Sequence, residues 1–285
     1  MFVVVGATGN TGASVAETLL GNKQTVRVVV RSTEKGTGWK AKGAEAAVAS
    51  LDDVSALTKA FEGAKGIYVL VPPNYGAEAW LTDQRARMDR AAEAVQKSGA
   101  EHVVFLSSVG GHMAGGTGPI RAASYGEHAL EAVAKNITIL RPSYFMENWA
   151  PVIGAAKAQG VLPTFIAPQA KIPMTSTKDI GRIGAEHLMA GGSGKQIVEM
   201  AGPSEYSPDE VASALSQILG KTVTAQLAPL SAVVPTFRSF GFSDEAAKLF
   251  EEMYTAFSKG AIGYEHPAKL VRGTIRLHEA LRKMV

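Results

Sequence analysis

The sequence predicts an α/β fold, a doubly wound parallel sheet with a smaller C-terminal α/β lobe, on three observations. Strand-like apolar runs alternate with helix-period segments at regular intervals, the pattern of parallel strands joined by helical crossovers. The first run, Phe2 to Val5, empties into a glycine-rich turn, Gly6-Ala7-Thr8-Gly9-Asn10-Thr11-Gly12, that opens the helix pattern Val15, Leu19, Leu20. Several later runs end in Gly, Pro, Ser or Arg, the small and phosphate-seeking residues suited to the carboxyl edge where open parallel sheets bind ligands.

The elements follow in order. The second strand is Thr25 to Val30, the third a short run from Ala44 to Ala49, and Asp53 to Gly63 is a helix with Val54, Leu57 and Phe61 on one face. A buried strand, Gly66 to Val71, is stopped by Pro72-Pro73. A long helix with Leu81, Met88, Ala92 and Val95 on its stripe then ends at Ser98-Gly99. His102 to Leu106 is the fifth strand, Glu127 to Lys135 a helix, and Ile137 to Leu140 a strand. Beyond Asn148, short elements are expected at Val152 to Gln159, Gly181 to Ala190, Gln196 to Met200, Asp209 to Leu219 and Ala225 to Leu227. The expected division is residues 1–148, a Rossmann-type nucleotide-binding domain, and residues 149–285, a smaller substrate lobe that lends a late strand to the first sheet. A cleft between them is the expected site of chemistry.

The glycine turn has a specific chemical reading. Gly6 lets the chain leave the strand sharply, Gly9 removes a side chain that would block a pyrophosphate, and Gly12 lets the helix lie close to the strand. The helix N-terminus then offers free N–H groups to phosphates, flanked by the small polar side chains of Thr8, Asn10 and Thr11. At the end of the second strand stands Arg31, where a site for a free ribose 2′-hydroxyl would carry Asp or Glu. A guanidinium suits a 2′-phosphate, with Lys35 as a second cation, so NADP(H) is expected over NAD(H).

Composition narrows the function. The chain has 285 residues, 46% of them hydrophobic, a formal net charge of +3 and no run of Lys or Arg interleaved with aromatics, so no nucleic-acid partner is expected. It has no cysteine, which removes disulfides and thiolate catalysis. No apolar stretch is long enough to span a bilayer and the first strand begins at once, so no membrane association and a cytoplasmic location are expected. His128 and His187 read as structural helix residues, and no His and carboxylate cluster has ligand spacing, so no metal is expected.

The order of G-A-T-G-N-T-G, a strand-end Arg, V-P-P, L-S-S-V-G-G and T-I-L-R-P-S-Y-F-M-E-N resembles the NmrA-like family of atypical short-chain dehydrogenase/reductases. The likeness runs on through Lys171 to Ile180, Met200 to Pro203 and Tyr206 to Val211. It implies either an NAD(P)H-dependent reductase, of the quinone oxidoreductase or triphenylmethane reductase kind, or a non-catalytic NADP(H)-sensing regulator. It implies that Tyr144 and Asn148, with Ser143 in the same segment, border the nicotinamide; Val71 and Pro72 are expected along the adenosine channel, Ser50 near the adenine, and Ser107 and Ser108, at the coenzyme edge of a central strand, are expected either to bond the nicotinamide end or to cap the next loop. Relatives often have Asp at the place of Ser50, so its adenine contact falls to the backbone.

The acid-base group of typical short-chain dehydrogenases is missing. Those enzymes place a Lys four residues after a Tyr, but Tyr68, Tyr75, Tyr125, Tyr144, Tyr206, Tyr254 and Tyr264 are followed at that offset by Pro72, Ala79, Ala129, Asn148, Glu210, Ser258 and Ala268. If Glu127 is the helical Glu of the NmrA-like pattern, the preceding base position is Ala123. This favours hydride transfer to a small-molecule electrophile that needs no enzymic acid, such as a quinone, by orientation alone. His112, in the loop from Gly110 to Gly116, and Tyr144 are the candidate catalytic side chains. Phe237, Phe240 and Phe242 are a candidate apolar wall for a flat substrate, with packing of the lobe's own core as the alternative. A homodimer is compatible with the sequence and not specified by it.

Overall fold

The computed structural model describes residues 1–285. Its first half alternates as the sequence dictates: β1 (Phe2–Val5), α1 (Asn10–Gly21), β2 (Val26–Val30), α2 (Thr33–Ala41), β3 (Glu45–Val48), α3 (Val54–Phe61), β4 (Gly66–Val69), α4 (Trp80–Ser98), β5 (His102–Leu106), α5 (Ile120–Glu131) and β6 (Ile137–Pro142). The second half comprises β7 (Tyr144–Phe145), a 3₁₀ turn (Met146–Val152), α6 (Ile153–Gln159), β8 (Val161–Thr164), β9 (Ile172–Thr175), α7 (Thr177–Ala190), β10 (Lys195–Ala201), β11 (Glu205–Tyr206), α8 (Pro208–Leu219) and β12 (Thr224–Leu227). It ends with α9 (Val233–Ser239), α10 (Asp244–Ser258), β13 (Val271–Arg272) and α11 (Leu277–Arg282), with further 3₁₀ turns at Leu230–Ala232 and Pro267–Lys269.

Eight strands form one parallel sheet in the order β13-β10-β6-β5-β4-β1-β2-β3. The central strands β1 and β4 are buried and apolar from end to end because both faces are covered, and alternate residues serve opposite layers. Val4, Val28, Tyr68 and Val104 meet α1 and α7 through Val15, Leu19 and Ile183. Val3, Val29, Ile67 and Val103 meet α3, α4 and α5 through Leu57, Val95 and Leu130. The chain runs from β1 outward through β2 and β3 and returns to β4 on the other side of β1, so strand order reverses between β1 and β4 and the crevice for a ligand opens beside the glycine turn.

Outside the large sheet, β7, β9 and β11 form a three-stranded sheet and β8 pairs with β12. These pack with α6, α8 and α11 around Trp149, Leu162, Leu215 and Leu281. Trp80 and Leu81 of α4 pack on Ala246 and Leu249 of α10 in a separate small cluster.

Some boundaries differ from expectation. The helix expected at Glu127 to Lys135 is α5, which begins at Ile120 directly after Pro119; the preceding Gly-Gly-Thr-Gly run hides a proline-set start. The strand expected to reach Val71 ends at Val69, ahead of Pro72. Helix α7 starts at Thr177, four residues early, because Ser176 caps it by accepting from the Lys178 N–H. Helices α2, α9, α10 and α11 have no counterpart among the expected elements.

Candidate active site

The glycine turn at the end of β1 is held by backbone geometry. Gly6 adopts φ +75°, a left-handed conformation that costs glycine nothing, and its carbonyl accepts the Gly9 N–H at 2.9 Å. A Cβ on Gly12 would stand 2.3 Å from that same carbonyl oxygen, so only glycine lets α1 approach the turn. No side chain caps α1 and no acid lies in its first turn, which leaves its first N–H groups and partial positive charge open. Thr8, Gly9 and Asn10 are exposed there. Thr11 is buried beside Tyr68, whose hydroxyl is pushed far above the ordinary phenol range by burial.

Arg31 leaves the neighbouring β2 at the same edge. It and Lys35 are exposed, and neither is drawn into an ion pair with a carboxylate. Ser32 caps α2 by accepting the Lys35 N–H, which fixes the chain between the two cations. Ser50, just beyond β3, shares hydrogen bonds with Asp52, and Asp52 is in turn held by Arg90 at 2.8 Å. Val71 is half-buried and Pro72 exposed beyond the end of β4.

Ser107 and Ser108, after β5, part company. The Ser107 hydroxyl is buried and donates to Glu127, which is gripped by Arg141 in a two-pronged ion pair at 2.8 and 2.6 Å. Both charged side chains are 4% exposed, and Arg141 also binds Glu265 at 2.5 Å. The Arg141 guanidinium holds the Glu265 carboxyl below its ordinary range. A Cβ on Gly111 would sit 2.3 Å from the Glu127 carboxylate, so this loop packs closely over the pair. Farther along it, the Gly118 N–H donates to Glu252 of α10 at 3.1 Å. His112 is exposed and lies outside the lining of the cavity described next.

That cavity, about 830 Å³, opens between the end of the large sheet and α9 and α10. It brings together Val71, Ser108, Ser143, Tyr144 and Asn148 with the three anticipated phenylalanines. Ser143 is buried with its hydroxyl bonded to Thr175 at 2.6 Å. The walls are aromatic: Tyr75 stacks on Phe242 at 4.2 Å and Phe237 on Phe250 at 4.4 Å between ring centroids. Ala122 and Ala123 of α5 line it where a larger side chain would project. Glu147 also lines it, but its carboxylate accepts the Thr177 N–H at 3.0 and 3.1 Å and so serves the start of α7.

Sequence reasoning missed Tyr75 and Tyr254 as lining residues. Burial raises both hydroxyls, that of Tyr75 to about 12. A legible signal for Tyr254 existed in α10, where Ala246, Leu249, Met253 and Ala256 already supply the buried face. Phe250, Tyr254 and Phe257, spaced i, i+4 and i+7, make a second apolar stripe that packs on Tyr75, Phe165 and Tyr144 in the cavity wall.

The geometry offers an anion-binding turn, a free cation pair one strand away and a deep aromatic chamber, with no group of three or more metal-type ligands and no helix long and apolar enough to cross a membrane. Comparison with known proteins agrees in shape. Quinone oxidoreductase 2 of Escherichia coli (strain K12) is 26% identical over 269 residues, 92% of this chain and 90% of that protein. The structure of an NADPH-dependent quinone oxidoreductase from Escherichia coli complexed with NADPH superposes with a TM-score of 0.82 at 23% identity, covering 100% of this chain and 99% of that one. Triphenylmethane reductase of Citrobacter sp., complexed with NADP(H), gives 0.83 at 20% identity over 100% and 99% of the two chains. The NmrA-like family model matches residues 1–271, and the chain belongs to the NmrA-like family.

Proposed function

We propose that this protein is an NADPH-dependent oxidoreductase that reduces quinones or similar flat electrophiles. The observation that carries the reading is the aromatic cavity of about 830 Å³ at the sheet edge that also bears the glycine turn. Its size suits a ligand of many heavy atoms and its stacked walls suit a planar one. The likeness to Quinone oxidoreductase 2 over most of both chains supports the same class of reaction.

The residues present fit the coenzyme. The open N–H groups of α1 and the Gly6 to Gly12 turn would hold its diphosphate, Arg31 and Lys35 its 2′-phosphate, and Val71 and Pro72 its adenosine half. Ser108, Ser143, Tyr144 and Asn148 would border the nicotinamide. Residues 1–148 would thus carry most coenzyme contacts and residues 149–285 most acceptor contacts. With NADPH bound, a quinone that takes up hydride and one proton from water leaves as the hydroquinone, with NADPH oxidised to NADP⁺.

The chain's own residues contribute orientation. Tyr75, Phe237, Phe242 and Phe250 stack the acceptor and exclude water, and the alanines of α5 leave its ring room to lie flat. NADPH oxidation followed at 340 nm should show turnover with at least one of a panel of quinones. Absence of turnover with every quinone, while NADPH still raises the melting temperature, would overturn the reading. Ala123 in the cavity wall also favours a second reading, a cofactor sensor with no reaction. A sensor would distinguish NADP⁺ from NADPH in affinity and turn over neither.

A further inference from the structure

Hydroxyl groups gather at one side of the aromatic cavity. Tyr144 on β7 and Tyr254 on α10 both line it, and Tyr144 stands edge-on to Phe257 of α10 at 6.4 Å between ring centroids. Neither the Tyr144 nor the Tyr254 hydroxyl has a hydrogen-bond partner within the protein, and the two rings share one part of the wall through Phe257, three residues after Tyr254 on α10. Tyr254 also packs on Phe165 at 5.2 Å and on Phe237 at 6.2 Å, which fixes its ring.

No cation acts on this pair. Burial, and after it the neighbouring Tyr254, holds the Tyr144 hydroxyl well above the phenol range, and burial raises that of Tyr254. Both therefore stay protonated at neutral pH, so they donate hydrogen bonds and do not serve as bases. Neither O–H is committed to an acceptor in the protein, so both are left to donate into the chamber. The group that matches it is an uncharged acceptor oxygen. A quinone carbonyl is such a group, and its oxygen gains negative charge as hydride arrives, so the same hydrogen bond strengthens during reaction. A triarylmethane cation without hydroxyl substituents has no such oxygen and would use only the aromatic faces.

We propose that Tyr144 and Tyr254 form the polar anchor of the acceptor site, selecting flat, uncharged, carbonyl-bearing acceptors whose fused rings or apolar substituents fill the aromatic remainder of the cavity. This rests on the reductase reading and assigns the two tyrosines to acceptor specificity.

The test compares the wild type with Y144F and Y254F, using 2-methyl-1,4-naphthoquinone and a hydroxyl-free cationic triarylmethane dye. Phenylalanine keeps each ring and its packing, and an unaltered far-ultraviolet circular dichroism spectrum and coenzyme-free melting temperature verify the fold. The ratio of kcat/KM for quinone over dye should fall about 3- to 10-fold in each variant, the scale of one lost hydrogen bond. Quinone binding is read separately by quenching of Trp80 and Trp149, which line the cavity, and its Kd should rise by a similar factor. An unchanged ratio together with an unchanged quinone Kd in both variants would overturn the anchor. If the wild type turns over no acceptor, the reductase reading fails, and the quenching comparison still decides whether the hydroxyl pair holds a carbonyl.

Discussion

The glycine turn after β1 and the cavity beside α10 lie on the same edge of the molecule and are built from opposite materials. The turn is backbone: its shape depends on a left-handed Gly6, on Gly12 lying against the Gly6 carbonyl, and on the uncapped end of α1. The cavity is side chains, contributed by Tyr75, Tyr144, Phe165, Phe237 and Tyr254 across nearly 180 positions of sequence. A backbone site is fixed by neighbours within about one helical turn and tolerates few residue types. A side-chain site is fixed by how distant elements pack, and many aromatic sets would serve it. The invariant demands of a diphosphate fall on the first, and the choice of acceptor on the second.

Between the two runs the buried pair Arg141 and Glu127, and breaking it should have the largest effect. R141M leaves the Glu127 carboxylate buried with only Ser107 to answer it, at a cost of about 3–5 kcal/mol. Urea denaturation should show that loss, with coenzyme binding and acceptor binding lost together. The double variant E127L/R141M removes the stranded charge and should recover part of the stability. If R141M is as stable as the wild type, the pair does not support both regions in common.

Arg31 separates the regions at a smaller scale. R31A should weaken NADPH binding by about 1.5–3 kcal/mol, roughly 10- to 100-fold, the range of a hydrogen bond to a charged group. NADH binding and quinone quenching of the cavity tryptophans should hold steady. Parallel titrations of the two coenzymes measure this directly, and an equal loss for both would place the arginine elsewhere than at a 2′-phosphate.

The same contrast governs what could be read in advance. The alternation of β1 to β6 with helices was legible because both-face burial forces unbroken apolar runs such as Val3-Val4-Val5 and Val28-Val29-Val30, and no other element type fits four to six such residues between turns. Helix α2 was hidden because Thr33 to Ala41 holds two glycines and almost no apolar stripe; Trp39 alone anchors it deeply. Helix α10 was hidden for the opposite reason, apolar residues on two sides that blur its period. Ser107 was legible as a strand-end hydroxyl, but its commitment to Glu127 depends on a helix twenty residues away and on Arg141 beyond it. Proximity of that kind is a property of packing and leaves no local trace.

The opposite end of the sheet supplies the smallest effect and a control. His102 is buried at the start of β5, where Nε2 pairs with the Thr138 hydroxyl at 2.9 Å, and Nδ1 has no partner. Burial, then the nearby His187, lowers its pKa below the ordinary 6.5. The folded protein therefore keeps this ring neutral where the unfolded chain has begun to bind a proton, so the unfolded state holds more protons in the window between the lowered value and 6.5. Stability should be flat with respect to this group above that window and fall as pH drops through it. Melting temperatures from pH 7.5 down to 5 would show the decline, and H102Q should make it shallower, the half-buried His187, whose pKa is lowered too, supplying the remainder. Because His102 lies at the amino ends of the strands and the candidate site at their carboxyl ends, the ratio of NADPH to NADH affinity in H102Q should match the wild type at neutral pH. A changed ratio would mean that the two ends of the sheet are coupled and that the coenzyme edge is less self-contained than its backbone construction requires.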